Sequence, residues 1–368
     1  MSRFRALSSL ALLSCIMLAV PAFSQPAGAL DGDFIYRVRH GDTLINLAVD
    51  YTRNQANWSR LQTLNQIDSP ERLPIGRELR IPLSMIPVRE AQAHVLHVSG
   101  QAGLNGKPLQ PGDAVKEGST VSTAPGGFVT LELADGSKLT LPSGGSVELM
   151  RLRQFEGTGL TDSVISVQRG SVESSVAPGG KGVGRFEIRT PVAVTGVRGT
   201  RFRVQSSAQG IQSEVLEGSV RLQAHAPGST PSRPVAVAEG YGAAVGADGS
   251  VSGVRPLLEA PELGAPERAG GGWTTAFPAV AGAQAYLVRV SRDAEGALPV
   301  SSASFPSNDI RFTAPRPGTF YVSVRAVDSL GLHGRVAVRA FEGANALMTS
   351  FGFGVNSGSG VPVTLTDY

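Results

Sequence analysis

Residues 128–152, FVTLELADGSKLTLPSGGSVELMRL, leave little freedom of fold. Apolar and polar residues alternate over 128–133, 137–141 and 146–151, and Asp135-Gly136 and Gly144-Gly145 separate the runs. A period of two puts one apolar face on each strand, and Gly-containing pairs tolerate the positive φ of tight turns, so hairpins are predicted. Composition extends the reading. Forty-five Gly, 24 Pro and few long helical patterns in 368 residues indicate many short strands in two or three domains.

The chain begins MSRFRALSSLALLSCIMLAVPAFSQ: two arginines, an apolar run, then small residues around Ala22 and Ser24. This is the layout of a secretory signal peptide, 1–24, cut before Gln25, with a retained membrane anchor as the alternative. No later stretch is apolar for long enough to span a bilayer, so no membrane span is expected after cleavage. Cys15, the only cysteine, lies inside this segment, so the mature chain offers no disulfide and no thiolate site. The formal charge of +3 falls to +1 once Arg3 and Arg5 are removed. A near-neutral chain with scattered basic residues lacks the electrostatic footprint of a nucleic-acid binder.

Residues 34–83 read differently. Ile35, Tyr36 and Val38 predict a strand, and His40-Gly41-Asp42 a turn whose Asp can cap the next helix. Leu44, Leu47, Ala48 and Tyr51 fall on one helical face. A second helix carries Trp58, Leu61 and Leu64, and a closing strand carries Leu79 and Ile81 before Pro82. This βααβ order, GDTL at the first turn, a Leu-Asn pair ending the second helix and a closing IGRELRIP together resemble a LysM module, with Ile75 where that family usually has proline. The resemblance implies binding of N-acetylglucosamine polymers, chiefly peptidoglycan or chitin, in a shallow groove between two loops. Carried over, the groove uses Gly41, Asp42, Thr43 and Leu44 on one side and Asn65, Gln66 and Ile67 on the other. Helix-start amides would meet acetamido carbonyls, and an exposed Leu or Ile would cover the sugar. The competing reading gives Asp42 and Thr43 to helix capping and Leu44 to the core.

Beyond Pro87 the strand period persists. VISVQRGSVESSV (164–176) echoes SEVLEGSVRLQA (213–224), with Gly170 and Gly218 in matching places. The repeat suggests paired or stacked hairpins, a β-roll or short β-solenoid over 87–253. In TPVAVTGVRGTRFRV (190–204), Val192, Val194, Val197, Phe202 and Val204 are apolar contacts, and Gly196 and Gly199 are assigned to sharp turns. Without a terminal Gly-Lys-Ser/Thr or a following helix it is not a phosphate loop, and Arg198, Arg201 and Arg203 read as a solvated or carboxylate-paired face. With LADGSKLTL before it and VLEGSV after it, the stretch resembles the signature of FecR-type domains over roughly 95–250. That resemblance implies a periplasmic regulatory module, here without the family's N-terminal cytoplasmic domain or a later transmembrane helix.

Residues 254–270 are rich in Pro, Gly and Ala and read as a linker. Over 271–345, Trp273, Ala285-Tyr286, Val288, Val290 and the alternating Phe320, Val322, Val324 and Ala326 predict a small antiparallel sandwich. YVSVRAVDSLGLHG resembles a strand and turn of fibronectin type III-like domains, and 346–368 reads as a tail or last hairpin. No catalytic set is found. His94 and His97 lack a neighbouring Glu ligand, His40, His225 and His333 are isolated, and no GxSxG elbow occurs. Paired carboxylates from distant positions keep a wall hydrolase open as a third reading.

The expectation is a mainly β multidomain chain: a LysM module at 34–83, a FecR-like β-roll or β-solenoid and a fibronectin III-like β-sandwich. It is expected to be a non-enzymatic, exported envelope protein that uses no cofactor and no metal. LysM would tether it to peptidoglycan glycan strands, and the β domains would meet an unknown envelope protein partner. The alternative is a FecR-like periplasmic sensor that LysM locates at the wall.

Overall fold

The computed structural model describes residues 29–343 except 31, 178–181, 198, 226–231, 270–271 and 315–317, together with 355 and 358. The expected signal peptide, Arg198 and nearly all of the expected tail lie outside the described residues. Among the described residues the chain is mainly β, with the helices confined to a small N-terminal unit.

That unit pairs β1 (Asp33–Arg37) antiparallel with β2 (Glu78–Pro82), Phe34 opposite Ile81 and Tyr36 opposite Leu79. Between them run α1 (Leu44–Thr52) and α2 (Trp58–Asn65). The apolar spacing of α1 buries Leu44, Leu47 and Ala48, while Tyr51 packs at the margin against Phe34 and Tyr36. On α2, Leu61 is buried and Trp58 packs against the core, but Leu64 is exposed, so the apolar face expected there is narrower. The core also takes in Phe155 and Leu160 from the next unit. The N-terminal unit is therefore seated on the β body.

The body is one 18-stranded hydrogen-bonded sheet that folds on itself into two facing layers. Its longer strands are β3 (Ala93–Ser99), β4 (Phe128–Glu132), β5 (Lys138–Leu141), β6 (Ser146–Phe155), β7 (Thr161–Ser175), β8 (Val183–Arg189), β9 (Ala193–Val197), β10 (Arg201–Ser207), β11 (Gly210–Glu217), β12 (Ser219–Ala224) and β13 (Tyr241–Gly246). Pairing is antiparallel except between β7 and β8. The first layer holds β6, the first half of β7, β8, β9 and β12. The second holds β3, β4, β5, the second half of β7, β10, β11 and β13. Val147, Leu149, Ile188 and Leu222 from one layer meet Leu131, Val172, Phe202 and Val204 from the other in a single core.

The echoed glycines are the corners of this roll. At Gly170 the chain passes from the first layer to the second, and at Gly218 it passes back, with φ of 84° and 80°. A side chain at Gly170 would place Cβ 2.8 Å from Gly145 Cα, on top of the cost of a left-handed φ. Gly170→Ala is expected to lower the unfolding free energy by about 2 kcal/mol, measurable as a reduced urea midpoint at unchanged m. Gly196, assigned to a turn by sequence, is instead inside β9, paired with Glu187 and Arg221; the turn belongs to Gly199. Pairing on both sides holds β9 extended through that glycine.

The C-terminal layer orders its strands β15-β14-β16-β17, where β14 is Ala285–Ser291, β15 Pro299–Phe305, β16 Gly318–Val327 and β17 His333–Gly343. Tyr286, Val288, Val290, Phe320, Val322 and Val324 point into its own core with Phe312 and Phe341. The stretch read as a linker is held in place: Leu257 and Leu263 are buried, Leu257 N–H donates to Gly240 O at 2.9 Å, and Glu267–Ala269 pairs with Gly272–Thr274. Apolar residues spaced through a Pro-rich segment anchor it to the surface it crosses.

Candidate functional site

The loop edge of the N-terminal unit is built from backbone capping. Thr43 is the N-cap of α1, accepting from Asn46 N–H at 3.1 Å. Asp42, expected as the cap, instead accepts from Tyr36 Oη at 2.7 Å and Arg39 N–H at 2.6 Å. It closes the turn because the β1 hydroxyl and the turn amide both face it. Burial, reinforced by the Asp42 carboxylate, raises the pKa of Tyr36 and keeps the phenol protonated as a donor.

Leu44 is fully buried and Ile67 is also in the core, so neither side chain is the exposed cover for a sugar ring that the sequence suggested. The helical spacing of Leu44 with Leu47 and Ala48 turns it inward, and the left-handed Gln66 turns Ile67 after it. Asn65 is committed internally: its Nδ2 donates to Leu61 O and Arg80 O, both at 2.9 Å, and its Oδ1 accepts from Arg80 N–H at 2.7 Å. The Leu-Asn pair that marks the motif thus ties the end of α2 to β2.

The two loops do meet. Leu44 N–H donates to Pro70 O at 3.0 Å, setting the Gly41–Leu44 turn against the segment that follows Ile67, and Gly76 N–H donates to Val38 O at 2.8 Å. Gly41 and Gln66 are exposed along this edge. Ile75, which sequence reading noted only as a departure from proline, is the most exposed large apolar residue described, at 68%. An apolar residue inside a polar, turn-rich loop is the signal that could have singled it out.

A second polar assembly lies between the second layer and the C-terminal layer. Strand alternation sends Phe202 and Val204 into the core and Arg203 to the opposite face, where it is 3% exposed. Its Nε lies 3.4 Å from Glu214 Oε2, and its Nη2 donates to His333 O and Gly334 O at 2.9 Å. Glu173 accepts from Arg289 Nη1 and Arg325 Nη1, both at 2.8 Å, and Glu214 accepts from His333 N–H at 3.0 Å. Farther along the interface, His97 Nε2 lies 2.8 Å from Pro299 O, Thr130 Oγ1 donates to Ala297 O at 2.6 Å and Arg201 Nη2 donates to Glu295 O at 3.0 Å. The carboxylate-paired reading therefore describes Arg203, whose partner Glu214 is buried as deeply as the base, while Glu173 keeps partial contact with solvent.

Burial pushes the Arg203 guanidinium down to about 10, still charged at neutral pH. Burial acts to raise the Glu173 carboxyl, but Arg289, Arg325 and Arg203 override it and hold it well below the usual carboxylate range. Burial, aided by Arg203 and Arg325, pushes the His333 imidazole well below its ordinary value and keeps it neutral. Because the unfolded imidazole takes up a proton near pH 6.5 and the folded one does not, stability is full above that pH and falls as pH drops below it, by about 1.4 kcal/mol per unit. Glu214, raised by burial, acts with the opposite sign. His333→Gln is therefore expected to flatten the pH 5–7 stability profile, read as urea midpoints.

Among the described residues no group of three or more His, Asp or Glu could hold a metal, and no helix is long and apolar enough to cross a membrane. Residues 36–82 match the LysM domain family and residues 119–221 match the FecR protein family. The LysM match thus falls on the N-terminal unit and the FecR match on part of the β body, each well under half of the chain. No curated protein is significantly similar to it. Two crystal structures of a protein from Parabacteroides distasonis ATCC 8503, assigned as an anti-sigma factor, align at 17% and 18% identity with TM-scores of 0.30 and 0.29. Each alignment covers 37% of this chain and 59% of the other.

Proposed function

We propose that this is an exported, non-enzymatic envelope protein that the LysM domain holds on N-acetylglucosamine-containing glycan, peptidoglycan above all, while its β layers meet a protein partner. The observation that carries the reading is the loop edge where the Leu44–Pro70 hydrogen bond joins the two loops of a LysM domain. Of the seven groove residues, Gly41 and Gln66 face the sugar, Asp42 and Thr43 shape the turn, and Leu44, Asn65 and Ile67 support it from within. Ile75 adds the apolar surface on which a sugar face rests. The first 24 residues are removed on export, and the C-terminal layer is a fibronectin type III-like spacer.

Co-sedimentation with purified peptidoglycan sacculi tests this. Ile75→Asp changes a residue that supports nothing in the core, and is expected to weaken binding about ten-fold while leaving the fold intact. Equal binding by the variant would remove the loop edge from the glycan reading, and release of soluble muropeptides would overturn the non-enzymatic one. The FecR match favours a second reading, a sensor located at the wall. In that case, engagement of a protein partner changes the packing of the second layer against the C-terminal layer.

A further inference from the structure

The buried polar assembly has more cation than anion. Arg203, Arg289 and Arg325 face Glu173 and Glu214, an excess of one positive charge with His333 neutral. Both oxygens of Glu173 are engaged, yet Arg203 Nη1, Arg289 Nε and Arg325 Nε have no hydrogen-bond partner among the described residues, and Arg203 Nε has only its 3.4 Å ion-pair contact with Glu214. These three side chains are at most 5% exposed. Buried guanidinium donors left without acceptors are costly, and a two-oxygen anion is their natural complement.

A space exists for such an anion. A cavity of about 420 Å³ opens between the second and C-terminal layers, lined by Glu173, Arg203, Glu214, Arg289, His333 and, at its rim, the exposed Ser302. Its volume falls within the range of small-molecule sites, and its two arginines come from different layers. We propose that this cavity binds a small carboxylate-bearing ligand, a free acid or the end of a peptide, whose carboxylate engages Arg203 and Arg289 and thereby joins the FecR layer to the C-terminal layer. A planar carboxylate matches the guanidinium fork better than a spherical anion does. This inference is independent of the glycan reading.

Thermal unfolding and calorimetric titration of the full chain in low-chloride buffer test it, with ionic strength matched across N-acetylalanine, its neutral amide and sodium sulfate. A saturable rise in Tm with N-acetylalanine, and none with N-acetylalaninamide, is expected. Ser302→Trp fills the rim without altering any of the five charges and is expected to reduce affinity about ten-fold or more. Because Ser302 is exposed, this variant folds where Arg203→Met could fail to. Equal stabilisation by acid and amide, binding unaffected by Ser302→Trp, or no response to any probe would overturn the proposal. Stabilisation by sulfate as strong as by the acid would overturn the carboxylate assignment, and comparing N-acetylalanine with an alanine-terminated tripeptide separates the free acid from the peptide end.

Discussion

Glu173→Ala is expected to cost the contact between the second and C-terminal layers about 3 to 5 kcal/mol, the range for removing one partner of a buried ion pair. The loss comes less from two missing hydrogen bonds than from two guanidiniums left in a low-dielectric seam beside a third. The C-terminal layer has its own core around Phe320, Val322 and Phe341, and the FecR body has a separate one, so the expected product is undocked rather than unfolded. Trp273 packs against the C-terminal core and reports it in a Trp58→Phe background. Its fluorescence transition should move to lower urea, and the 254–269 stretch laid across the junction should become the first site of proteolysis. Glu173→Gln, which keeps an acceptor but no charge, should fall between the two. An unchanged midpoint in Glu173→Ala would mean that solvent or a bound anion already neutralises the cluster.

Leu44→Ala should have the second largest effect, about 2 to 5 kcal/mol, the cost of truncating a fully buried leucine. A βααβ unit this small holds its core with few side chains, so that loss approaches its whole stability. The helical far-UV signal of α1 and α2 should fall, and sedimentation with sacculi should fall with it. Gln66→Ala separates the two kinds of effect: Gln66 is exposed, so it should retain the helical signal and alter only glycan binding. Retained binding by a Leu44→Ala protein without helical signal would show that glycan is held elsewhere.

Of the loop edge, sequence made the turn and the helix faces legible because capping and 3.6-residue spacing are local. It left open whether Leu44 faces sugar or core and did not reveal the inward orientation of Asn65 and Ile67, because a short motif names positions without saying whether each side chain faces solvent or core. Burial depends on the partners across the unit, including Phe155 and Leu160, which come from a strand and turn of the neighbouring body.

Sequence by itself determined the mainly β class, the matching places of Gly170 and Gly218 in a repeated glycine-strand pattern, and the fact that Arg203 points away from Phe202 and Val204. Each follows from interactions within a few residues: side-chain alternation along a strand, and a φ that only glycine adopts cheaply. Tertiary structure alone decided what Arg203 points toward. Its neighbours Glu173, Arg289 and Arg325 come from three other strands, and Glu173 lies 116 and 152 residues from the arginines it binds. Whether a charged face is solvated or sealed depends on which layer docks upon it, and that contact is fixed only when distant strands have already formed.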